Sequence, residues 1–455
     1  MMSALKQLLD LVWVDDPFAN APENLLEVQL AATQERLEQR RQQIRVLDQR
    51  ATDRGVDRIE TLDDIVPLLF SDATYKSYPE SFLDQRRWDR LTTWFQTLSS
   101  DRLTGVDFAK VETIDEWLGA LSGIGCYVNS SSGTSGKSSF LAMNQADMDV
   151  AGQLMLQAAR WTSAALREAQ PNSHATFVLG PSSGAYSGSL RSKIFAEAIA
   201  RPGDIHYISD VPQRAQDGMD LAKLNRAIAA GTARPSEIQA FQEKSRARST
   251  QVQADLSVFL DTFLSRLDEP VAILGLSTVM FQIMEMAKAR GHKSAKLHPD
   301  SVVSISGGKK GVDVPVDFNQ QMIDYFGMSE RIYTNPYGMT EMSGCCPMIP
   351  GPAGWALPPW IVPLVLEATD ETLLNNGNPK GLVTGRFAFM DLLVEGRWGG
   401  LVTGDQVTID FSPSEPGIKT PVIRRVDRYK DLPGDDKATC AGTIDAYVRG
   451  ALELA

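Results

Sequence analysis

The amino-acid sequence predicts an α/β fold, in which a large layered domain with parallel sheets is joined to a small β-rich unit. Between residues 176 and 335, short β-like runs alternate with helical ones, which is the pattern of α/β layers. From Gly381 onward the chain changes to glycine-punctuated strands such as G-L-V-T-G-R-F-A-F-M-D and G-L-V-T-G-D-Q-V-T-I-D-F. Such strands are typical of a small antiparallel or barrel-like unit.

The changes in composition along the chain suggest four segments. We expect a helical N-terminal region over residues 1–110, packed on an α/β core over residues 111–380. A small β-rich subdomain over residues 381–427 and an abbreviated C-terminal tail over residues 428–455 follow.

Helices are predicted where apolar residues recur at helical spacing. Residues 23–55 predict one amphipathic helix, and Thr61 predicts the cap of a short helix with an acidic first turn. The span Asp147–Ala169 predicts a surface helix, as does Met280–Arg290, which Gly291 closes. The predicted strands of the parallel sheet are Thr176–Leu179, Ile205–Ser209, Val271–Leu274, Val302–Ile305 and Ile332–Asn335.

Composition restricts the classes of function. The formal net charge of -12 argues against nucleic acid as a partner, because binding to its phosphates needs a basic surface. No apolar run approaches the roughly 20 residues that span a bilayer, and Met1–Phe18 lacks the basic start of a signal peptide. Four cysteines in 455 residues do not form a disulfide framework. We therefore expect a cytoplasmic globular protein without a membrane span.

The segment that carries most chemical information is the Ser/Gly-rich loop Y-V-N-S-S-S-G-T-S-G-K-S-S over residues 127–139. Its hydroxyls, its unhindered backbone N–H groups and the ammonium of Lys137 suit a polyphosphate. The spacing does not fit a Walker P-loop, because Ser131 stands where that motif needs glycine. The alternative is a flexible Ser/Gly linker.

This loop resembles the S-S-G-T-[ST]-G-K signature of the adenylate-forming superfamily, which contains acyl-CoA synthetases, adenylation domains and luciferases. The resemblance implies that seven consecutive residues of the loop bind the β- and γ-phosphates of ATP. They are Ser131, Ser132, Gly133, Thr134, Ser135, Gly136 and Lys137.

Two further segments match the family in the same order along the chain. The turn S-I-S-G-G-K-K contains Gly307 and Gly308, which the resemblance places beside adenine and the acyl pocket. The segment Tyr337-Gly338-Met339-Thr340-Glu341 resembles the family's Y-G-x-T-E motif. By resemblance, Tyr337 would stack on adenine, Thr340 would touch the α-phosphate and Glu341 would bind Mg²⁺. Alone, S-I-S-G-G-K-K is also compatible with a turn that ends a strand, and Y-G-M-T-E with a strand-to-turn segment whose tyrosines pack in the core.

Two motifs lie towards the C-terminus. Thr403-Gly404-Asp405 resembles the family's T-G-D, whose aspartate accepts hydrogen bonds from the ribose hydroxyls. The span 422–430 resembles G-R-x-D-D-x-x-K, so Arg425 would be the ribose or phosphate arginine and Asp427 the hinge. Arg424 and Arg428 depart from this pattern.

The resemblance implies ATP-dependent activation of a fatty or aromatic carboxylic acid to an acyl adenylate, with release of pyrophosphate. ATP and Mg²⁺ are then the expected cofactors, with coenzyme A added in a complete acid-CoA ligase. The acyl group would pass to a thiol or to an acceptor or carrier protein. Only 28 residues follow Asp427, too few for the family's lid domain of about 100 residues, so we expect a reduced or absent lid.

The nearest branches by resemblance are the acyl-protein synthetases and the phenylacetate-CoA ligases. In the former a cysteine near the C-terminus takes the acyl group, and Cys440 stands at a comparable place with Lys437 nearby. The acid pocket is expected around Gly180, Gly275 and Gly307. Two alternatives stay open: a complete acid-CoA ligase, and a catalytically degenerate protein that binds nucleotide or an acyl group.

Overall fold

The computed structural model describes residues 2–130, 137–184, 187–307, 314–349, 354–369, 371–377 and 379–429. The helices are α1 Ala4–Asp10, α2 Leu25–Arg41, α3 Arg45–Arg54, α4 Leu62–Ile65, α5 Glu80–Asp84, α6 Trp88–Gln96, α7 Ile114–Ser122, α8 Gln145–Thr162, α9 Ala164–Glu168, α10 Ser187–Ile199, α11 Ala215–Ala229, α12 Pro235–Leu264, α13 Ser277–Ala289 and α14 Phe318–Phe326. The strands are β1 Phe70–Ser71, β2 Tyr127–Ser130, β3 Phe140–Met143, β4 His174–Pro181, β5 Ala200–Ser209, β6 Val271–Leu276, β7 Val302–Ser306, β8 Tyr333–Thr334, β9 Trp355–Ala356, β10 Ile361–Leu366, β11 Leu382–Asp391, β12 Gly400–Asp410 and β13 Val422–Arg428.

The predicted α/β class is confirmed. Strands β4 to β8 form a parallel sheet in the order β5-β4-β6-β7-β8, and each contains or overlaps one of the five predicted strands. Helices cover this sheet, and its core includes Phe177, Phe259, Ile273 and Met284. Alternation of β-branched runs with helical ones therefore predicted the layered domain correctly.

The predicted β-rich unit is also confirmed as a mainly antiparallel sheet. Its order is β10-β11-β12-β13-β9, and β1 pairs with β12 in parallel. Strands β1, β9 and β10 lie outside the span 381–427, so residues distant in sequence complete this sheet. The domain boundaries at residues 110, 380 and 427 stay predictions.

Two predicted helices are each divided in the structure. Residues 23–55 form α2 and α3, separated by an extended Ile44 that is fully buried. The span Asp147–Ala169 forms α8 and α9, separated at Ser163, whose hydroxyl accepts a hydrogen bond from Leu166 N. Spacing of apolar residues continues across both breaks, because α2 and α3 pack on the same core and the C-terminal part of α8 shares another core with α9. The Thr61 cap is confirmed, since Thr61 and Asp64 form a capping box.

The turn between β11 and β12 joins three parts of the chain. Glu395 pairs with the buried Arg36 and Arg40 of α2. The backbone N–H groups of Glu395 and Gly396 donate to Asp147 at the start of α8, both at 2.8 Å. A Cβ added at Gly396 would lie 2.7 Å from Met143 Cα, so only glycine permits this close approach to β3. The turn thus fixes β12 relative to the β2–β3 hairpin.

Replacing Glu395 by Gln is expected to lower the free energy of unfolding at neutral pH by about 1–3 kcal/mol, because two buried guanidinium groups lose their counter-charge. Burial by itself raises the pKa of Glu395, but Arg36 and Arg40 hold it below its ordinary value. A carboxyl whose pKa is lowered on folding stabilises the fold above its unfolded pKa and loses that contribution as the pH falls.

Denaturant unfolding of both proteins between pH 7 and pH 3 tests this. The difference between wild type and variant should shrink below about pH 4.3, the ordinary pKa of glutamate. A difference that stays constant over this range would contradict the assignment of the stabilisation to the ion pairs.

Candidate nucleotide and acid site

The structure brings the Y-G-M-T-E segment and the T-G-D segment into direct contact. The Tyr337 hydroxyl donates a hydrogen bond to Asp405 Oδ2 at 2.7 Å. The Tyr337 ring packs at a tilt against Trp355 and Phe387, with ring centroids 6.0 and 6.2 Å away. Burial first, and then the charge of Asp405, raise the pKa of the Tyr337 hydroxyl well above its ordinary value. Tyr337 therefore remains a neutral donor to Asp405.

Asp405 lies on β12 and is 1% exposed. Its Oδ1 lies 2.9 Å from Arg428 Nε in an ion pair, but within the described chain it accepts no aligned hydrogen bond. A buried carboxylate oxygen with unused lone pairs is suited to accept a bond from a ligand hydroxyl. The lone pairs of Asp405 Oδ1 that accept no hydrogen bond fit the ribose role that the T-G-D resemblance implies.

The arginine beside Asp405 is not the one that the sequence pattern indicates. Arg425 has a side chain that is 71% exposed, and its Nε lies 2.6 Å from Asp427 Oδ2. Arg428 contacts Asp405 because the antiparallel register of β12 and β13 makes these two residues partners. The role predicted for Arg425 stays a prediction, and Arg428 is a site residue that the sequence analysis missed.

The Thr340–Glu341 pair lies against the β2–β3 hairpin. Asn129, on β2, donates from Nδ2 to the carbonyl oxygen of Thr340 at 2.8 Å. Arg397 donates from Nη2 to the carbonyl oxygen of Glu341 and from Nη1 to that of Ala142 on β3, the latter at 3.2 Å. The Y-G-M-T-E segment thus contacts the strand that leads into residues 131–136.

Glu341 is a carboxylate in a partly desolvated position. Burial raises its pKa, Asp72 adds to that effect, and Arg397 and Lys76 act in the opposite direction. Within the described ranges, no group of three or more His, Cys, Asp or Glu side chains is placed to hold a metal ion. A single carboxylate nevertheless fits Mg²⁺, which keeps its waters and binds mainly to substrate phosphates.

Lys137 follows the residues that the structure leaves undescribed. Its Nζ lies 4.2 Å from the centroid of the Tyr78 ring and donates to the carbonyl oxygen of Tyr78. The Tyr78 hydroxyl donates in turn to the carbonyl oxygen of Ser138 at 2.9 Å. Lys137 also borders a cavity of about 360 Å³, which is lined by residues of α5 and α11 and by Thr113 just before α7. The ammonium is therefore held beside an aromatic face.

The three glycines around which the acid pocket is expected lie at the carboxyl ends of neighbouring strands of the parallel sheet, β4, β6 and β7. Leu179 pairs with Gly275, which pairs with Ile305, so Gly180, Gly275 and Gly307 end neighbouring strands. A Cβ added at Gly275, which has φ of +149°, would lie 2.5 Å from Leu179 Cβ. The carboxyl ends of parallel strands commonly form ligand crevices.

Several predicted residues lie outside the described part of the chain. They are Ser131, Ser132, Gly133, Thr134, Ser135, Gly136, Gly308, Lys437 and Cys440. Of the others, Tyr337 and Asp405 are in direct contact, and the adjacent Thr340 and Glu341 accept hydrogen bonds from Asn129 and Arg397. Gly338 follows Tyr337, which pairs with Cys346 in an antiparallel bridge, and a Cβ added at Gly338 would lie 3.2 Å from Cys345 Cβ.

The fold is similar to that of solved acyl-CoA ligases. 2-Hydroxyisobutyryl-CoA ligase in the postadenylation state with R3-HIB-AMP superposes with a TM-score of 0.51 and 13% identity, covering 90% of this chain and 69% of that one. The same ligase with 2-HIB-AMP and CoA gives 0.51 and 13%, covering 90% and 70%. ATP-bound MatB from Rhodopseudomonas palustris gives 0.38 and 14%, covering 67% and 48%.

No protein-family model and no curated protein sequence matches the chain. At 13% identity the similarity concerns the fold alone, and at that level it agrees with the superfamily that the motifs indicate. Among the described residues, no helix is both long enough and apolar enough to cross a membrane.

Proposed function

We propose that the protein activates a carboxylic acid with ATP, forming an acyl adenylate and releasing pyrophosphate. The observation that carries this proposal is the convergence of three segments. Asn129, at the start of the Ser/Gly loop, contacts Thr340 of the Y-G-M-T-E segment, and Tyr337 of that segment contacts Asp405 of T-G-D. These segments are the ones expected to bind phosphate, adenine and ribose. A shared crevice for all three parts of ATP needs this convergence.

Different side chains would bind and position different parts of ATP. Tyr337 offers an apolar face to adenine, and Asp405 Oδ1 accepts from the ribose. Thr340 and Lys137, with backbone N–H groups, would hold the phosphates in line for attack by the carboxylate of the acid. Glu341 would hold Mg²⁺, which when bound neutralises charge on the phosphate oxygens.

The acid would lie at the sheet edge formed by Gly180, Gly275 and Gly307, because the glycine turns admit a group close to the backbone there. Its carboxylate oxygen would attack the α-phosphorus, and the bond to the bridging oxygen of pyrophosphate would break. The acceptor of the acyl group would be a thiol, on coenzyme A, on a carrier protein or at Cys440. The 2-hydroxyisobutyryl-CoA ligase complexes hold an acyl adenylate and, in one case, CoA, which favours acyl transfer to a thiol here as well.

Pyrophosphate release with a panel of fatty and aromatic acids, with and without coenzyme A, tests the proposal. Release that depends on an acid but not on coenzyme A is expected for adenylation. Sustained turnover only with coenzyme A would favour the complete ligase. Tight ATP binding without release for any acid would favour the nucleotide-binding protein and contradict the proposed activity. Unchanged acyl transfer in Cys440→Ser would exclude Cys440 as the acceptor.

A further inference from the structure

Two buried side chains hold the carbonyl oxygens of consecutive residues in the Y-G-M-T-E segment. Asn129 donates to Thr340 O at 2.8 Å, and Arg397 donates to Glu341 O. Asn129 and Arg397 are each 4% exposed. Asn129 lies at the start of the Ser/Gly-rich loop but outside residues 131–137, which match the family signature, and Arg397 belongs to no motif that the sequence analysis identified. Both reach Thr340–Glu341 from distant parts of the chain.

Both donors are attached to the β2–β3 hairpin: Asn129 lies on β2, and Arg397 hydrogen-bonds to β3. Asn129 pairs with Leu141 across β2 and β3, and the adjacent pair is Val128 with Ala142. Arg397 donates its second guanidinium N–H group to the carbonyl oxygen of Ala142. The guanidinium therefore bridges β3 and Glu341, while the amide of Asn129 bridges β2 and Thr340. The two bridges form a clamp on the Thr340–Glu341 backbone.

Arg397 also connects this clamp to Asp405, the carboxylate proposed to bind the ribose. Arg397 immediately precedes Trp398 and β12, the strand that carries Asp405. Trp398 is 1% exposed and its Nε1 donates to Leu68 O at 3.0 Å. Because each attachment is buried, the strand that carries Asp405 and the Thr340–Glu341 pair are held in one frame.

We infer that Asn129 and Arg397 are positioning residues, which set the Thr340 hydroxyl and the Glu341 carboxylate in the orientation that binds the phosphates and Mg²⁺. This inference rests on the proposed function. Fixing both carbonyls restricts the backbone rotations that aim the two side chains. A displacement of about 1 Å at reacting groups can lower a rate about 100-fold, so side chains that never touch ATP can still control its binding.

Binding of Mg²⁺-ATP and of adenosine, measured by calorimetry on the full chain, separates positioning from general damage. Arg397→Met and Asn129→Leu should each weaken Mg²⁺-ATP binding about 10- to 100-fold. Adenosine carries no phosphate, and Asp405, which would bind its ribose, is also held by the pairing of β12 with β11 and β13, so its affinity should stay within about two-fold of wild type. Arg397→Lys keeps the charge but loses the two-pronged contact, and should fall between Arg397→Met and wild type.

Arg50→Met is the matched control, since Arg50 is 1% exposed and also donates to a backbone carbonyl, that of Pro67, which does not belong to the Y-G-M-T-E segment. It should not change the ratio of Mg²⁺-ATP to adenosine affinity. Equal losses for both ligands in Arg397→Met and Asn129→Leu, or the same ratio as in Arg50→Met, would overturn the inference. If the wild type binds Mg²⁺-ATP but releases no pyrophosphate with any acid, the proposed activity fails while the clamp is still tested.

Discussion

Glu341→Gln is expected to lower acid-dependent pyrophosphate release about 100-fold or more, because the amide cannot replace a carboxylate as a ligand for Mg²⁺. The same variant should be at least as resistant to thermal unfolding as the wild type. Burial raises the pKa of Glu341, so its ionised form opposes folding at neutral pH, and a neutral side chain of the same size removes that cost. Initial rates at several Mg²⁺ concentrations and thermal unfolding curves provide both measurements.

Glu330→Gln is a suitable control, because Glu330 is exposed and precedes the same segment. It should leave both the rate and the unfolding temperature unchanged. Activity in Glu341→Gln close to that of Glu330→Gln would exclude Glu341 as the metal ligand. Loss of activity accompanied by a large fall in unfolding temperature would instead indicate that Glu341 supports the fold.

Asp405→Asn is expected to weaken ATP binding about 10- to 100-fold, since hydrogen bonds to a charged group contribute about 1.5–3 kcal/mol. The effect should depend on the ribose hydroxyls. In the wild type, 2′,3′-dideoxy-ATP should bind more weakly than ATP, and in Asp405→Asn the two affinities should approach each other. Equilibrium titration with both nucleotides measures the difference.

Asp410→Asn provides the comparison, because Asp410 lies on the same strand and pairs with Arg424, 2.9 Å away, instead of with Tyr337. Its preference for ATP over the dideoxy nucleotide should equal that of the wild type. A proportional loss of both affinities in Asp405→Asn would show that Asp405 acts on the fold and does not read the ribose.

Much of the site could be predicted because its motifs are local. The Y-G-x-T-E and T-G-D segments consist of adjacent residues, and the Ser/Gly loop is recognisable from its composition alone. The roles proposed for Tyr337, Glu341 and Asp405 come from the resemblance of these segments to the family's motifs, and the chemistry of the three side chains is compatible with them. The contact between Tyr337 and Asp405, which are 68 positions apart, needed only the expectation that all motifs serve one nucleotide.

Other site residues could not be predicted, since their positions depend on strand register. Arg425 and Arg428 are both basic and lie on one strand, and only the pairing of β12 with β13 shows that Arg428 meets Asp405. In the same way, the break between α2 and α3 is invisible in the spacing of leucines, because both helices face one core.

The linear order of residues was enough to predict the α/β class, the parallel sheet and the chemical character of the segments proposed to bind nucleotide. Those features arise from alternation, helical spacing and side-chain type, which are properties of neighbouring residues. The three-dimensional fold determined which polar side chains hydrogen-bond to these segments. Asn129 and Thr340 are 211 positions apart, and Arg397 reaches Ala142 across 255. Such pairs meet only because two sheets and a hairpin pack together. Packing excludes water from these positions, so a buried donor is stable only when it hydrogen-bonds to a buried acceptor such as a carbonyl oxygen.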